Sequence, residues 1–91
     1  MQLILTNKYK KIELKFLNKN KNLINAYMET LKKLANNPFD QSLRTHKLKG
    51  NLSDFYSCSI NLSYRISMII EINQNQITLI NVGTHDEVYG K

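Results

Sequence analysis

The sequence is short of several residue types that would mark particular kinds of protein. One cysteine, Cys58, cannot form an internal disulfide, and together with two histidines it is too little for a structural zinc site. The three glycines are isolated at positions 50, 83 and 90, so there is no glycine-rich phosphate-binding loop. No apolar run approaches the roughly 18–20 residues of a membrane-spanning helix, and residues 1–6 lack the features of a signal peptide. These absences predict a reduced cytoplasmic protein with no membrane partner.

Acidic residues are also scarce, and their distribution is uneven. The chain of 91 residues carries 13 Lys and Arg against 7 Asp and Glu, a net charge of +6. Residues 1–53 hold eleven basic and three acidic residues, a net charge of +8, and residues 54–91 hold two and four, a net charge of −2. This asymmetry predicts an anionic partner, either nucleic acid or an acidic protein segment. The alternative is a solvated lysine-rich helix surface.

The first part of the sequence has apolar residues at the spacing of a helix. The short apolar run Leu3-Ile4-Leu5 predicts a strand, and Thr6-Asn7 after it are favourable N-cap residues. Apolar residues at spacings of three and four then predict two amphipathic helices. The polar residues 18–22 separate them, and Asn36-Asn37-Pro38 ends the second. The first has the apolar positions Tyr9, Ile12, Phe16 and Leu17, and the second has Leu23 or Ile24, Tyr27 or Met28, Leu31, and Leu34 or Ala35.

After a polar stretch the period changes from 3.6 to 2. The stretch, residues 39–54, predicts a loop with a short extended piece at residues 46–48. Alternating apolar residues then predict three antiparallel strands over residues 55–62, 65–72 and 77–82, with a tight turn at Asn73-Gln74-Asn75. The length predicts one domain, 1–91, of the α+β class. Its order is β-α-α-β-β-β, with both helices on one face of one sheet and the first strand at an edge.

His46 and His85 are the residues best suited to acid–base chemistry at neutral pH. His46 stands in the basic loop, and His85 follows Gly83-Thr84 at the predicted end of the last strand. Both lie at edges of the same predicted sheet and could converge. Imidazoles ordinarily titrate near pH ~6.5, so a pair can divide general-base and general-acid work. The alternative is that each is an ordinary surface histidine.

The combination suits RNA cleavage. RNA carries its own nucleophile, the 2′-hydroxyl, so an enzyme needs a base, an acid and a cation for the phosphorane charge, but neither a metal nor another cofactor. Arg65, in an otherwise apolar strand, could be that cation; alternatively it pairs with Glu71 or Asp54 or faces solvent. Basic and aromatic residues could bind the RNA by phosphate contact or base stacking. They are Arg44, Lys47, Lys49 and Tyr64, and Tyr89 could stack or assist proton transfer.

Three segments resemble a known family. His46-Lys47-Leu48-Lys49-Gly50, residues 58–66 (CSINLSYRI) and Gly83-Thr84-His85-Asp86-Glu87-Val88-Tyr89 resemble the RelE/ParE superfamily of type II toxin–antitoxin toxins, and within it the RelE/YafQ-type mRNA interferases. The resemblance implies a ribosome-dependent endoribonuclease that cuts mRNA without metal, inhibits translation and is neutralised by a cognate antitoxin. It implies catalytic roles for His46, Arg65, His85 and Tyr89, and RNA contact by Lys47 and Lys49.

The sequence departs from the family pattern at three positions. Ser63 stands where relatives often have Asp, Ser59 where YafQ-type toxins can have a further histidine, and Asn81 where some members have a basic residue. The division of base and acid between the two histidines is therefore open. Two other functions are open as well: a ParE-like toxin that poisons gyrase without cutting RNA, and a non-catalytic basic binding domain. Cys58, on a predicted strand, is expected to be a small buried hydrophobe.

Overall fold

The computed structural model describes residues 1–50 and 54–89, and it contains five strands and three α-helices in that part of the chain. In chain order they are β1 Gln2–Leu5, α1 Asn7–Lys19, α2 Ile24–Asn36, β2 His46–Lys47, β3 Tyr56–Ser59, β4 Tyr64–Glu71, β5 Gln76–Thr84 and α3 His85–Tyr89. Within this part, no helix combines the length and apolar character needed to cross a bilayer. The end of the predicted loop at residues 51–53 and the end of the predicted domain at residues 90–91 lie outside the described residues.

The strands form one sheet in the order β1-β5-β4-β3-β2. β1 runs parallel to β5 at one edge, and the remaining neighbours are antiparallel. The α+β class, the single sheet, the meander and the edge position of the first strand are thus confirmed. The predicted element order was incomplete, because the extended piece in the basic loop is a fourth antiparallel strand: His46 pairs with Ser57 and Lys47 with Tyr56.

The two long helices begin and end where their flanking residues indicate. Thr6 is the N-cap of α1, and its hydroxyl accepts a hydrogen bond from the Tyr9 amide at 3.1 Å. α2 ends at Asn36 because Asn37 is extended, with φ of −160°, as the following Pro38 favours.

The core lies between the helices and one face of the sheet, as predicted. Tyr9 and Phe16 of α1 and Tyr27 and Leu34 of α2 are buried against the strands. Cys58 is fully enclosed, which confirms its assignment as a buried hydrophobe. Of the alternatives in α2, Ile24 and Met28 are the exposed ones. The strand residues of the same cluster are Cys58, Ile66, Met68, Ile77, Leu79 and Val82.

A chain of hydrogen bonds joins the two helices inside this core. The Tyr9 and Tyr27 hydroxyl oxygens are 2.6 Å apart, and the Tyr27 hydroxyl donates to Glu13 Oε2 at 2.6 Å. Burial raises the pKa of both tyrosines well above the ordinary value, so both hydroxyls remain protonated.

The largest correction to the predicted fold is α3. The last strand was expected to end at Gly83, but β5 continues to Thr84 and a short helix follows at once. Thr84 and Glu87 form a capping box: the Glu87 amide donates to Thr84 Oγ1 at 3.3 Å, and the Thr84 amide donates to Glu87 Oε1 at 2.8 Å. A Cβ on Gly83 would lie 2.7 Å from Glu87 Oε1, so glycine is what lets this carboxylate approach the strand.

Candidate functional site

Tyr89 contacts both histidines of the chain. Its hydroxyl oxygen is 3.3 Å from His46 Nε2, and the two rings are perpendicular with centroids 6.4 Å apart. The His85 ring centroid is 4.0 Å from that of Tyr89, at an interplanar angle of 66°. The structure therefore brings His46, Tyr89 and His85 together, and we call these three residues the His–Tyr–His cluster.

Local structure explains why these side chains meet. His85 and Tyr89 are four residues apart on α3, and residues at this spacing are neighbours on a helix surface. The Asn81 side-chain amide donates to the Glu87 carbonyl at 3.2 Å, which ties α3 back to β5. His46 lies at the start of β2, an edge strand of the sheet.

The backbone before β2 orients the His46 ring. Arg44 is left-handed, with φ of 53°, and follows a 3₁₀ turn at Gln41–Leu43. Its carbonyl oxygen is 3.0 Å from His46 Nδ1. Because a carbonyl oxygen only accepts, Nδ1 carries a hydrogen here, and Nε2 is the nitrogen that faces Tyr89.

Ser57 completes the polar contacts of Tyr89, and the sequence analysis missed it. The Tyr89 hydroxyl donates to Ser57 Oγ at 3.0 Å, and Ser57 is fully buried. Strand alternation does separate Ser57 from Cys58, which faces the helices. That pattern could have identified a serine on the open face of the sheet, but not its contact with a residue of α3.

A cavity of about 290 Å³ lies beside the cluster. Its lining contains His46 and Tyr89 together with Lys47, Leu48 and Lys49. Lys47 and Lys49 are exposed, as is Arg44. The lysines predicted to contact RNA thus line the same cavity as His46 and Tyr89 of the His–Tyr–His cluster.

Arg65 lies on the same face of the sheet but is bonded elsewhere. It pairs in register with Ser59 and Gly83, so it shares the face of Ser57. Its Nη1 donates to the carbonyl oxygens of Asn61 at 2.6 Å and Tyr64 at 3.1 Å. These backbone partners replace the Glu71 or Asp54 pairing that the sequence left open.

Tyr64 is not brought to the cluster. It alternates with Arg65 and so lies on the helix-covered face, where its ring meets Phe16 edge-on at 5.3 Å. Its hydroxyl donates to Asn20 Oδ1 at 3.1 Å. Tyr64 lines a separate groove of about 370 Å³ between α1 and β5, which also contains Lys15 and Lys19. An RNA-binding role for Tyr64 would have to be exerted there.

The three departures from the family pattern have structural roles of their own. Ser59 pairs with Arg65 across β3 and β4. The Ser63 amide donates to Asn61 Oδ1 at 2.9 Å in the turn between those strands. Asn81 anchors α3 and also accepts from the Val82 amide at 2.9 Å. Close to the cluster, His85 Nδ1 is 3.5 Å from Asp86 Oδ1, an exposed contact that stabilises little.

Comparison with known proteins gives a consistent result. Residues 1–90 match the model of the family described as "Bacterial toxin of type II toxin-antitoxin system, YafQ". Among solved structures, YafQ from E. coli strain BL21(DE3) superposes with a TM-score of 0.79 at 14% identity, covering 98% of each chain. A metal-bound toxin from Helicobacter pylori gives 0.76 at 27% identity, covering 97% of this chain and 98% of that one.

A third similar structure comes from a complex, the YoeB-YefM complex from Staphylococcus aureus. It superposes with a TM-score of 0.71 at 23% identity, covering 93% of this chain and 97% of that one. No curated protein matches the sequence significantly. The family match spans nearly the whole chain, and the fold agrees with that of the similar structures. The chain is a toxin of a type II toxin–antitoxin system and belongs to the YafQ family.

Proposed function

We propose that this toxin is an endoribonuclease that cuts mRNA on the ribosome and so inhibits translation. The observation that carries the proposal is the His–Tyr–His cluster beside a cavity lined by Lys47 and Lys49. Two imidazoles on one tyrosine, with cations next to them, supply the groups that cleavage by the 2′-hydroxyl needs. Family membership supports the same reading.

The reaction divides between the two histidines. One imidazole removes the 2′-hydroxyl proton as the oxygen attacks the adjacent phosphorus, and the other gives a proton to the departing 5′-oxygen. The products are a 2′,3′-cyclic phosphate and a free 5′-hydroxyl. The reaction proposed here uses the 2′-hydroxyl as nucleophile and needs no metal or other cofactor. Arg65 stabilises the phosphorane by exchanging its contact with the Asn61 carbonyl for one with a phosphate oxygen. Lys47, Lys49 and Arg44 hold the neighbouring phosphates.

We also propose an antitoxin as the natural inhibitor, acting in the cytoplasm where ribosomes are found. The support is the family itself and the YoeB-YefM complexes among similar structures. The net charge of +8 over residues 1–53 favours an acidic antitoxin segment. The chain acts as one RelE-like domain in this proposal.

The test is induced expression of the wild type, His46→Ala and His85→Ala, with mapping of mRNA 5′ ends and a translation assay. The wild type should create new ends on translated mRNA, and each variant should lower the cleavage rate by roughly 10²–10⁴-fold. Lys32→Ala, an exposed change on α2 remote from the cluster, is the matched control. Growth arrest without new ends would overturn the nuclease proposal, and DNA breaks with gyrase inhibition would replace it with ParE-like poisoning.

A further inference from the structure

The fully buried hydroxyl of Ser57 has no part in the chemistry described so far. Ser57 and His46 are direct partners across β2 and β3, and both are hydrogen-bonded to the hydroxyl of Tyr89. We propose that Ser57 is a positioning residue that holds the Tyr89 hydroxyl against His46 in both protonation states of the imidazole. This inference deepens the proposed nuclease function and rests on it for its catalytic consequence.

The hydrogen-bond inventory of these groups allows two arrangements. His46 Nδ1 is committed as a donor to the Arg44 carbonyl. When His46 is neutral, Nε2 has no hydrogen and accepts from the Tyr89 hydroxyl, so the Ser57 hydroxyl has to turn and donate to the Tyr89 oxygen, the reverse of the direction in the structure. When His46 is protonated, Nε2 donates to the Tyr89 oxygen, and Tyr89 in turn donates to Ser57 Oγ. The direction of the chain Ser57–Tyr89–His46 therefore reverses when His46 gains or loses a proton.

A serine suits this position because a hydroxyl group both donates and accepts. Tyr89 has a single hydroxyl hydrogen, so it satisfies His46 in either state only if its second partner can take the complementary role. Ser57 does so by turning its hydroxyl on a fixed backbone, because β3 lies between β2 and β4 in the sheet. Alanine at this position would leave the Tyr89 hydroxyl with one partner in both states.

The consequence for cleavage is geometric. His46 Nε2 takes or returns its proton through the Tyr89 hydroxyl, which passes one proton on as it receives another. The Tyr89 ring stays in place meanwhile, and so does its edge contact with His85. Without Ser57, the Tyr89 hydroxyl is free to turn away when the charge on His46 changes. Ser57 should therefore act entirely through the Tyr89 hydroxyl and should not touch the RNA.

A double-mutant cycle tests that route. Single-turnover cleavage on translating ribosomes is compared for the wild type, Ser57→Ala, Tyr89→Phe and the double variant. We expect Ser57→Ala to slow cleavage on the order of 10-fold, and to have less than about a twofold effect once Tyr89→Phe has removed the hydroxyl. Equal effects of Ser57→Ala in both backgrounds would overturn the inference.

Three further variants separate positioning from folding. Ser57→Thr keeps the hydroxyl and should restore most of the rate. Ser57→Cys is close in size to serine but is a weak hydrogen-bonding group, so it should behave like Ser57→Ala even if alanine impairs folding. The matched control is Ser67→Ala. Ser67 is a buried serine that pairs with Ser57 on β4 but is no hydrogen-bond partner of Tyr89 among the described contacts, so the rate should stay within about twofold.

A spectroscopic arm stands apart from RNase activity. In NMR spectra of the purified toxin, we expect contacts between the Tyr89 and His46 rings and a slowly exchanging Tyr89 hydroxyl proton. Ser57→Ala and Ser57→Cys should weaken both signals, and Ser67→Ala should preserve them. Unchanged signals in the two Ser57 variants would overturn the positioning role. A wild type that shows these signals but cuts no RNA would instead refute the proposed nuclease function alone.

Discussion

Cys58 is the sole thiol of the chain, and its environment makes it unreactive. Burial raises its pKa to about 12, against the smaller opposing effects of the Ile66 backbone contact and the Arg65 charge. Because the thiolate is the reactive form, we expect no modification by an aromatic disulfide reagent in native buffer at pH 7–8 and full modification in denaturant. Absorbance of the released thiolate gives the measurement. Rapid native labelling would contradict the burial of this side chain.

Tyr27 is the central residue of the hydrogen-bond chain between α1 and α2. Tyr27→Phe removes its bonds to Tyr9 and to Glu13, and leaves both of those groups with a lost partner in or near the core. We expect a loss of roughly 1–3 kcal/mol in the free energy of unfolding, measured by urea denaturation. Tyr9→Phe is the matched control. It keeps the bond from Tyr27 to Glu13, so it should cost less, and the opposite ranking would argue against Tyr27 as the centre of the chain.

At the scale of single residues, the sequence predicts chemistry better than position. His46 and His85 could be singled out because imidazoles are rare here and chemically distinctive. Ser57 could not, since serines are common and only the arrival of Tyr89 gives this one a role. Tyr64 was grouped with the RNA-binding residues by its aromatic character. Its place one residue before Arg65 puts it on the opposite face of β4, and its contact with Phe16 follows from that alternation.

Among the elements, α3 depends most on a single carboxylate. The Thr84 amide, followed by the Thr84 hydroxyl group and more weakly by Lys19 and Lys15, lowers the pKa of Glu87 from its ordinary 4.5. Because the folded state favours the ionised form, the stabilisation is complete above pH 4.5 and is lost as pH falls through the lower folded-state pKa. We expect α3 to loosen in that acidic range before the core does, as measured by amide chemical shifts of residues 84–89.

Glu87→Gln tests the assignment of this transition. Glutamine keeps an oxygen that can accept from the Thr84 amide but has no charge to lose. The acid loosening of α3 should therefore disappear in the variant, although the helix starts from a weaker anchor at neutral pH. An identical acid transition in both proteins would assign it to another group.

The two long helices and the longer strands were predicted from the period of their apolar residues. α1 and α2 each contain 13 residues and β4 contains 8, so their spacing of apolar residues is readable. β2 contains two residues and α3 five, too few to show either period. β2 exists because β3 offers it a partner, and α3 exists because Glu87 caps it against β5. The Thr84-x-x-Glu87 spacing was the available signal for α3.

At the scale of the molecule, the sheet separates stability from the candidate chemistry. One face carries α1, α2 and the core, and the other carries Ser57, Arg65 and the contact with Tyr89. The open face is completed by the edge strand β2 and by the short helix α3, which follows β5. Substitutions within the His–Tyr–His cluster can therefore alter function with little effect on the core, which keeps the activity tests interpretable.

The basic segment at the cavity predicts how the RNA affinity of the whole molecule depends on salt concentration. If RNA phosphates replace counterions on Arg44, Lys47 and Lys49, affinity for a single-stranded RNA oligonucleotide should fall linearly with salt on logarithmic axes. Each lost phosphate contact should reduce that slope by about 0.7. We therefore expect the paired change Lys47→Ala and Lys49→Ala to flatten the slope by roughly 1.4, by fluorescence anisotropy over a range of potassium chloride concentrations.

Lys32→Ala paired with Lys10→Ala removes the same charge from exposed positions on α2 and α1 that do not line the cavity. Two outcomes can then be told apart, because both double variants have the same net charge. If the slope depends on net charge alone, the two should bind with equal slopes. A flatter slope only for the Lys47 and Lys49 changes would place the RNA at the His–Tyr–His cluster, and equal slopes would contradict that placement.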